Sequence, residues 1–252
     1  MSASIRAVER ALDVLMCFTN ATPSLTMTQI SDMVGINKST VHRLLATLEG
    51  KRFLERDAAT GIYKPGIRLV QMAFLSREHN PLRSVSTPFL EDLSGRIREN
   101  VNLAVLAGAD VIYLSVIESP QRVKLAAVPG QRLPAFCTAS GKAMLAFLPE
   151  ESVKAILERG MPRYTANTIT SPAALLDDLA RIRERGLAIS TEEFEDGINA
   201  IAAPVSDPPL ASVSIAGPAY RLTPDRMLQM APALLETARL ITAELQRARN
   251  LA

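Results

Sequence analysis

The chain has 252 residues, 48% of them hydrophobic, no Trp, two cysteines and a formal net charge of +2. That supports two ordinary domains with aliphatic cores. It excludes a disulfide framework, which two cysteines cannot build, and a chain that is basic throughout. The charge is unevenly spread: residues 1–80 hold 10 Lys/Arg against 7 Asp/Glu, and residues 81–252 hold 18 against 19.

Ser4 is read as the cap of a first helix, on which Ile5, Val8, Leu12 and Leu15 repeat at helical spacing, with Met16 and Phe18 widening the stripe. This stripe is expected to pack behind the next elements, with surplus apolar residues left to bury a second subunit. Thr22-Pro23-Ser24 stops the helix. Thr28 is read as the cap of a second helix carrying Ile30, Met33 and Val34, closed by Gly35. Asn37 caps a third helix only two residues later. Two helices joined by so tight a turn cross at a large angle, the helix-turn-helix arrangement.

The third helix is expected over Lys38–Gly50. Val41, Leu44, Leu45 and Leu48 fall at i, i+3, i+4, i+7 and make its apolar stripe. The opposite side carries Ser39, Arg43, Ala46 and Gly50, flanked by His42 and Thr47. It is polar, small and free of carboxylates, as a helix entering the major groove requires. Phe53 and Leu54 start a strand, Ala58–Gly61 turn, and Ile62–Lys64 return, forming a wing. Lys38, Thr40, Lys51, Arg52, Arg56 and Lys64 are assigned to phosphates or flanking contacts; from Asn37 to Arg56 there are five basic residues against two acidic ones. A solvated basic face is the competing reading, but the order of helix, tight turn, capped helix and glycine hairpin is far more specific.

Pro65-Gly66 ends this domain, set at 1–65. Ile67, Leu69, Val70, Ala73 and Phe74 mark a helical linker over 66–80, ended by Pro81. The third segment, 81–252, opens with a helix at about Leu82–Glu99. Strands are expected at Asn102–Leu106, Val111–Val116 and Val123–Val128, then a loop through Pro129-Gly130 and Leu133-Pro134. Helices follow from Thr138, over Glu150–Arg159 and over Ala173–Arg185, the last two closed by Gly160 and Gly186. Further strands are placed at Leu187–Thr191, Ala200–Val205 and Ala211–Ala216, and Pro224 opens a final helix to about Asn250. The class is α+β, with the first and last helices of this domain packed on one face of a sheet.

Small residues at Thr138-Ala139-Ser140-Gly141, at a helix start, offer free amides to an anion. The segments 190–202 and 212–218 are placed to close such a pocket. Close packing of small residues is an equal alternative on residue chemistry alone. An enzyme fares worse: residues 81–252 contain no histidine to activate Cys137, and as strand neighbours Glu192 and Glu193 would point to opposite sides. With His42 and His79 the only histidines, neither a metal site nor a cofactor is expected. Arg6, Glu9, Arg10 and Asp13 interrupt any signal-peptide core, and Asp110 breaks the apolar run Val101–Ile117, so a soluble, cytoplasmic protein is expected.

The chain resembles the IclR family of bacterial transcriptional regulators along nearly its whole length. The resemblance is carried by IRAVERALDVLMCF at the start and by Gln29–Leu45. Further on it is carried by Pro129-Gly-Gln-Arg-Leu-Pro leading to Thr138-Ala-Ser-Gly-Lys-Ala, by Glu192-Glu193 with Gly197-Ile198, and by Ser214–Pro218. It implies an N-terminal winged helix-turn-helix, a linking helix and a C-terminal GAF-like effector domain. It also implies a homodimer or homotetramer on pseudo-palindromic promoter DNA, a small-molecule effector, and repression as the commoner outcome. By position, the effector contacts correspond to Leu125, Ala139, Ser140, Ser190, Ala200, Ser214 and Ala216. Small-acid-binding members carry an acidic residue where Ser190 stands, a Cys at Ala200 and a Ser at Ala216. These departures point to a roomier pocket for a larger, partly apolar acid, aromatic acids included. Two alternatives are an enzyme fused to a DNA-binding domain and a regulator without an effector.

Overall fold

Thr26, not Thr28, starts the second helix. Its Oγ1 accepts from the Gln29 amide at 3.3 Å, while the Thr26 amide donates to Gln29 Oε1 at 2.8 Å. This reciprocal capping box needs Thr and Gln three apart, which Thr28 cannot supply. The computed structural model describes residues 5–19, 21–78, 80–205 and 211–250. Its contacts divide into two units, Met1–Asn80 and Pro81–Ala252.

The first unit runs α1 (Arg6–Met16), α2 (Met27–Val34), α3 (Lys38–Gly50), β1 (Leu54–Arg56), β2 (Tyr63–Pro65) and α4 (Ile67–Glu78). Gly35 closes α2 at φ +64°, a conformation in which a side chain is strained. Asn37 then caps α3, its Oδ1 accepting from the Thr40 amide at 2.9 Å. Val41, Leu45 and Leu48 bury against Val14, Cys17, Leu25, Ile30, Leu54 and Tyr63; Leu44 is only half-buried.

The α1 reading needs correcting. Ser4 lies outside the described residues, and Ile5 occupies the N-cap without a side-chain bond. Ile5, Val8, Leu12 and Met16, expected to pack inward, are 53–71% exposed, whereas Val14 and Cys17 face the core. Periodicity finds an apolar stripe but not what covers it, and α1 carries apolar residues on two sides.

The wing is a two-stranded hairpin pairing Glu55 with Lys64 and Arg56 with Tyr63. Its strands start one residue later than the sequence suggests; the Phe53 side chain packs on the core while its carbonyl accepts from the Gly66 amide at 2.8 Å. Tyr63 also bridges to Leu25, exchanging two backbone bonds of 2.8 and 2.9 Å. At Gly66 a β-carbon would lie 2.3 Å from the Arg52 carbonyl, so only glycine lets α4 begin there.

The second unit runs α5 (Pro81–Ile97), β3 (Asn100–Ala107), β4 (Asp110–Ile117), β5 (Arg132–Pro134), α6 (Ala139–Leu145), α7 (Glu150–Leu157), α8 (Pro172–Arg185), β6 (Ala188–Thr191), β7 (Ile198–Val205), β8 (Ala211–Pro218) and α9 (Pro224–Asn250). The strands form one antiparallel sheet in the order β5-β4-β3-β8-β7-β6. Residues alternate between its faces. Val101, Leu103, Ile201, Ala203, Val213 and Ile215 meet α5 and α9 on one side. Asn102, Ala104, Ala202, Ser212 and Ser214 belong to the other side, where α6 packs.

Val123–Val128 is not a strand; it is an irregular strap, and the short edge strand β5 falls at Arg132–Pro134, where a loop was expected. Two prolines bound the β5 region, but the strap's apolar residues mimic strand alternation. Its carbonyls are instead held by side chains: Asn100 Nδ2 to Leu125 O at 3.3 Å and Arg221 Nη2 to Val123 O at 2.9 Å. His79 lies outside the described residues. No described helix is long and apolar enough to cross a membrane.

All seven residues of α6 are buried, and the helix lies so close to Ala135 that a β-carbon on Gly141 would sit 2.1 Å from the Ala135 carbonyl oxygen. Overpacking a core ordinarily costs roughly 1–3 kcal/mol. Gly141→Ala meets immobile backbone, so urea denaturation should place it at or above the top of that range, while Gly50→Ala, with nothing near its β-carbon, should change stability little.

Candidate nucleic-acid interface and ligand cavity

The outer side of α3 is open in its own unit. Lys38, Ser39, His42, Arg43, Ala46 and Thr47 are exposed, and Thr40 is half-buried. Lys38, His42 and Arg43 form no ion pair or side-chain hydrogen bond among the described residues. The two hydroxyls on this face are already donating: Ser39 Oγ to Asn37 Oδ1 at 2.9 Å and Thr47 Oγ1 to the Arg43 carbonyl at 2.8 Å. They are therefore better acceptors than donors toward anything that docks, and the donating falls to Arg43, His42 and Lys38.

Lys51 and Arg52 follow at the helix end, both exposed, with Arg52 at φ +60°. In the wing, the Arg56 guanidinium lies over the Tyr63 ring at 5.8 Å, and Lys64 pairs with Glu55 at 3.2 Å. That pair is exposed and weak, and leaves Lys64 able to swing to another anion. Sequence reasoning missed Asp57. Its Oδ1 accepts from the Thr60 and Ala59 amides at 2.7 and 3.0 Å and from the Thr60 hydroxyl at 2.8 Å, shaping the wing tip. The Thr60 amide, the Thr60 hydroxyl and lastly Lys64 hold its carboxyl below the usual range. An Asx-turn signal, Asp followed by Thr60-Gly61, was there to read.

In the second unit, one cavity of about 340 Å³ opens on the α6 side of the sheet. Leu125, Ala139, Ser140, Ser190, Ala200, Ser214 and Ala216, which come from five separate segments, all line it. The strand register explains the assembly. Ser190 stands opposite Ala200, Ala200 opposite Ala216, and Ala216 opposite Asn100, so three small side chains make one continuous row across the sheet. The next row sets Ala188, Ala202, Ser214 and Asn102 side by side.

Thr138 caps α6 by accepting from the Gly141 amide at 3.2 Å, which leaves the Ala139 and Ser140 amides at the open end of the helix. Sequence reasoning missed Tyr113, Gln131, Leu133 and Phe194, which also line the cavity. Tyr113 lies on a strand beyond a bulge between Leu103 and Ala104, which no alternation pattern forecasts. Burial pushes its phenol up to about 12, so it stays a hydrogen-bond donor. The lining carries one lysine and one carboxylate, Lys124 and Glu195, and Lys124 is paired with Glu118. An anion in this cavity would therefore meet amides and hydroxyls, with Lys124, held in an exposed pair with Glu118, as the cation in the wall.

Residues 7–58 match the IclR helix-turn-helix domain, and residues 74–243 match the bacterial transcriptional regulator IclR C-terminal domain. The chain belongs to the IclR family of bacterial transcriptional regulators. It is 34% identical over 242 residues to the HTH-type transcriptional regulator BhcR of Paracoccus denitrificans, covering 94% of this chain and 86% of that one. It is 31% identical over 250 residues to the acetate operon repressor of Salmonella typhimurium, covering 96% and 90%. An IclR homologue from Microbacterium hydrocarbonoxydans, solved in complex with 4-hydroxybenzoate, superposes with a TM-score of 0.81 at 27% identity, covering 96% of this chain and 99% of that one. The IclR relatives are transcriptional regulators, not enzymes, and the helix-turn-helix implies DNA binding.

Residues of the IclR C-terminal domain also explain how the cavity wall is held. Lys142, on α6, is 1% exposed, and its ammonium donates to Glu193 Oε1 at 2.6 Å and Asp178 Oδ2 at 2.9 Å. Glu193 begins the turn that carries Phe194 and Glu195 into the cavity wall. Strand β6 ends at Thr191, so Glu192 and Glu193 are not strand residues as expected. They still diverge: Glu192, at φ +52°, accepts from the Gly197 amide at 2.7 Å, while Glu193 turns inward. Burial pushes the Glu193 carboxyl up, and Lys142 opposes that.

Lys142→Met leaves Glu193 without its cation and Asp178 with only the exposed Arg181 at 3.9 Å, which should cost about 3–5 kcal/mol in chemical denaturation near neutral pH. A Glu193 whose folded pKa is raised loses stability as pH climbs through the window above its unfolded value, so the penalty should shrink on acidification. Cys137 lines the cavity, and burial with the nearby Glu193 charge pushes its thiol up to about 12. Iodoacetamide near neutral pH should therefore leave Cys137 unmodified in the folded protein and label it on unfolding.

Proposed function

We propose that the chain is a promoter-binding repressor, acting in the cytoplasm as a homodimer or a dimer of dimers, with its DNA affinity set by a small organic acid in the cavity. The observation that carries this reading is the open outer face of α3, centred on Arg43 and backed by a buried Val41–Leu45–Leu48 stripe. In this reading residues 1–65 bind DNA, 66–80 link, and 81–252 sense the effector. Ser39, His42, Arg43, Ala46 and Thr47 meet the groove; Lys38, Thr40, Lys51, Arg52, Arg56 and Lys64 meet phosphates or flank them. Pairing of two copies is supported by the exposed apolar row Ile5, Val8, Leu12 and Met16, and by Ile67, Val70 and Phe74 on α4.

Leu125, Ala139, Ser140, Ser190, Ala200, Ser214 and Ala216 hold the effector. The row of three small side chains at Ser190, Ala200 and Ala216 favours an acid with an apolar body, aromatic acids included. The 4-hydroxybenzoate complex of the Microbacterium homologue supports that class. Repression is supported by the Salmonella relative, which is a repressor.

Gel retardation of the promoter beside the chain's own gene at low salt, with and without candidate acids, tests the whole reading. Arg43→Ala should weaken the preferred site by about 1–3 kcal/mol and relax base preference. Lys64→Ala should weaken all DNA alike and lower the salt slope by roughly 1. Equal effects of both changes on every sequence would overturn the division between groove and phosphate contacts; no retardation at all would overturn the function.

A further inference from the structure

Lys124 on the strap and Glu195 on the turn after β6 are the charged side chains of the cavity wall. Of the two, Lys124 has the sign to meet a carboxylate. Leu125, Leu133, Phe194 and Ile198 give the same wall a large apolar share.

The backbone on both sides of Lys124 is tied down. Arg221 Nη2 donates to Val123 O at 2.9 Å, and Asn100 Nδ2 donates to Leu125 O at 3.3 Å. Arg221 is in turn held by Glu99, 3% exposed, to which its Nη2 also donates at 2.8 Å. The Lys124 ammonium is fixed less firmly. Its described partner is Glu118, the residue that follows β4, and the two side chains are 37% and 56% exposed. Such a pair is hydrated and contributes little. A flexible four-carbon stem on a pinned backbone lets the ammonium move while the strap stays in place.

The two positions open to that ammonium are not equivalent. Beside Glu118 the attraction between the charges is screened by water. A carboxylate in the cavity lies among apolar side chains, where less water screens it and a charge-assisted hydrogen bond is stronger. Because Lys124 is over a third exposed, it keeps part of its hydration, which limits the desolvation cost that burdens fully buried pairs. A ligand carboxylate therefore competes with Glu118 on favourable terms, and a neutral amide of the same shape does not.

We propose that Lys124 is the charge-reading residue of the cavity: it exchanges Glu118 for the carboxylate of the effector, which lies with that carboxylate at the strap and its apolar body against Ala200 and Ala216. This rests on the reading of the cavity as a site for an organic acid. Glu118 is then a built-in competitor that lowers the affinity for any acid.

Titration calorimetry of the full chain tests this with two acid–amide pairs, 4-hydroxybenzoate against 4-hydroxybenzamide and hexanoate against hexanamide. In the unaltered protein at least one acid should bind about tenfold tighter than its amide, the low end of what a hydrogen bond to a charged group contributes. Lys124→Met keeps the stem and removes the charge; it should bring that preference within about twofold by weakening the acid alone. Lys124→Arg should restore most of it. Glu118→Gln should tighten the acid about two- to fivefold, the range of an exposed pair, and leave the amide unchanged. A merely structural Lys124 would instead weaken acid and amide alike. An acid preference that survives Lys124→Met means that amides and hydroxyls hold the carboxylate; it overturns the Lys124 site and leaves the effector reading standing. Equal binding of acid and amide by the unaltered protein, or an acid that Glu118→Gln leaves unchanged or weaker, also overturns the site. If neither acid binds, the acid-effector reading falls and the Lys124 site with it.

Discussion

One ammonium group holds the cavity together. Lys142 Nζ, 1% exposed, reaches Glu193 on the turn after β6 and Asp178 on α8. A buried cation is tolerated only where charge and hydrogen bonds repay its lost hydration. That demand fixes α6, α8 and the 192–197 turn relative to one another. The amide end of α6 faces the cavity from one side of this anchor, and Phe194 and Glu195 face it from another. The Lys142 charge is kept out of the cavity itself, whose sheet side is built from Ser190, Ala200, Ser214 and Ala216.

The sheet separates rigidity from recognition by alternation alone. At Val101, Leu103, Ile201, Ala203, Val205, Ala211, Val213 and Ile215 the odd-numbered positions of β3, β7 and β8 are apolar and locked under α5 and α9. The even-numbered positions at the centre of the same strands, Ala200, Ser214 and Ala216 among them, are small and line the cavity. A one-residue slip in any strand would exchange the two sets, so the long apolar face also specifies the register that brings Ser190, Ala200 and Ala216 into one row.

Where local chemistry decides, the sequence was legible. Gly35, Asn37 and Gly186 act at helix ends through their own backbone or side chain, and α3 and α8 fall close to their expected bounds. The seven cavity residues were named from a family resemblance; strand register brings Ser190, Ala200, Ser214 and Ala216 together, and the strap and α6 bring Leu125, Ala139 and Ser140 over them. What failed needed tertiary information. The stripe of α1 was visible, but its outward direction depends on what α2 and α3 leave uncovered. The run 123–128 has the apolar content of a strand and no neighbour to pair with, since β5 takes the edge of β4. Lys142 looked like an ordinary helix lysine; its burial follows from two carboxylates 36 and 51 residues away in the chain.

The strap between Glu118 and Val128 is tied down differently from everything around it. From Arg122 to Ala127 no described backbone hydrogen bond joins it to the sheet; it hangs by its carbonyls from Asn100 and Arg221. Opening a strand breaks a cooperative ladder, whereas lifting this segment breaks a few side-chain bonds. Leu125, Ala126 and Ala127 form part of the cavity wall. Lifting the strap would therefore open the cavity wall at Leu125, Ala126 and Ala127 while the strands on either side keep their register.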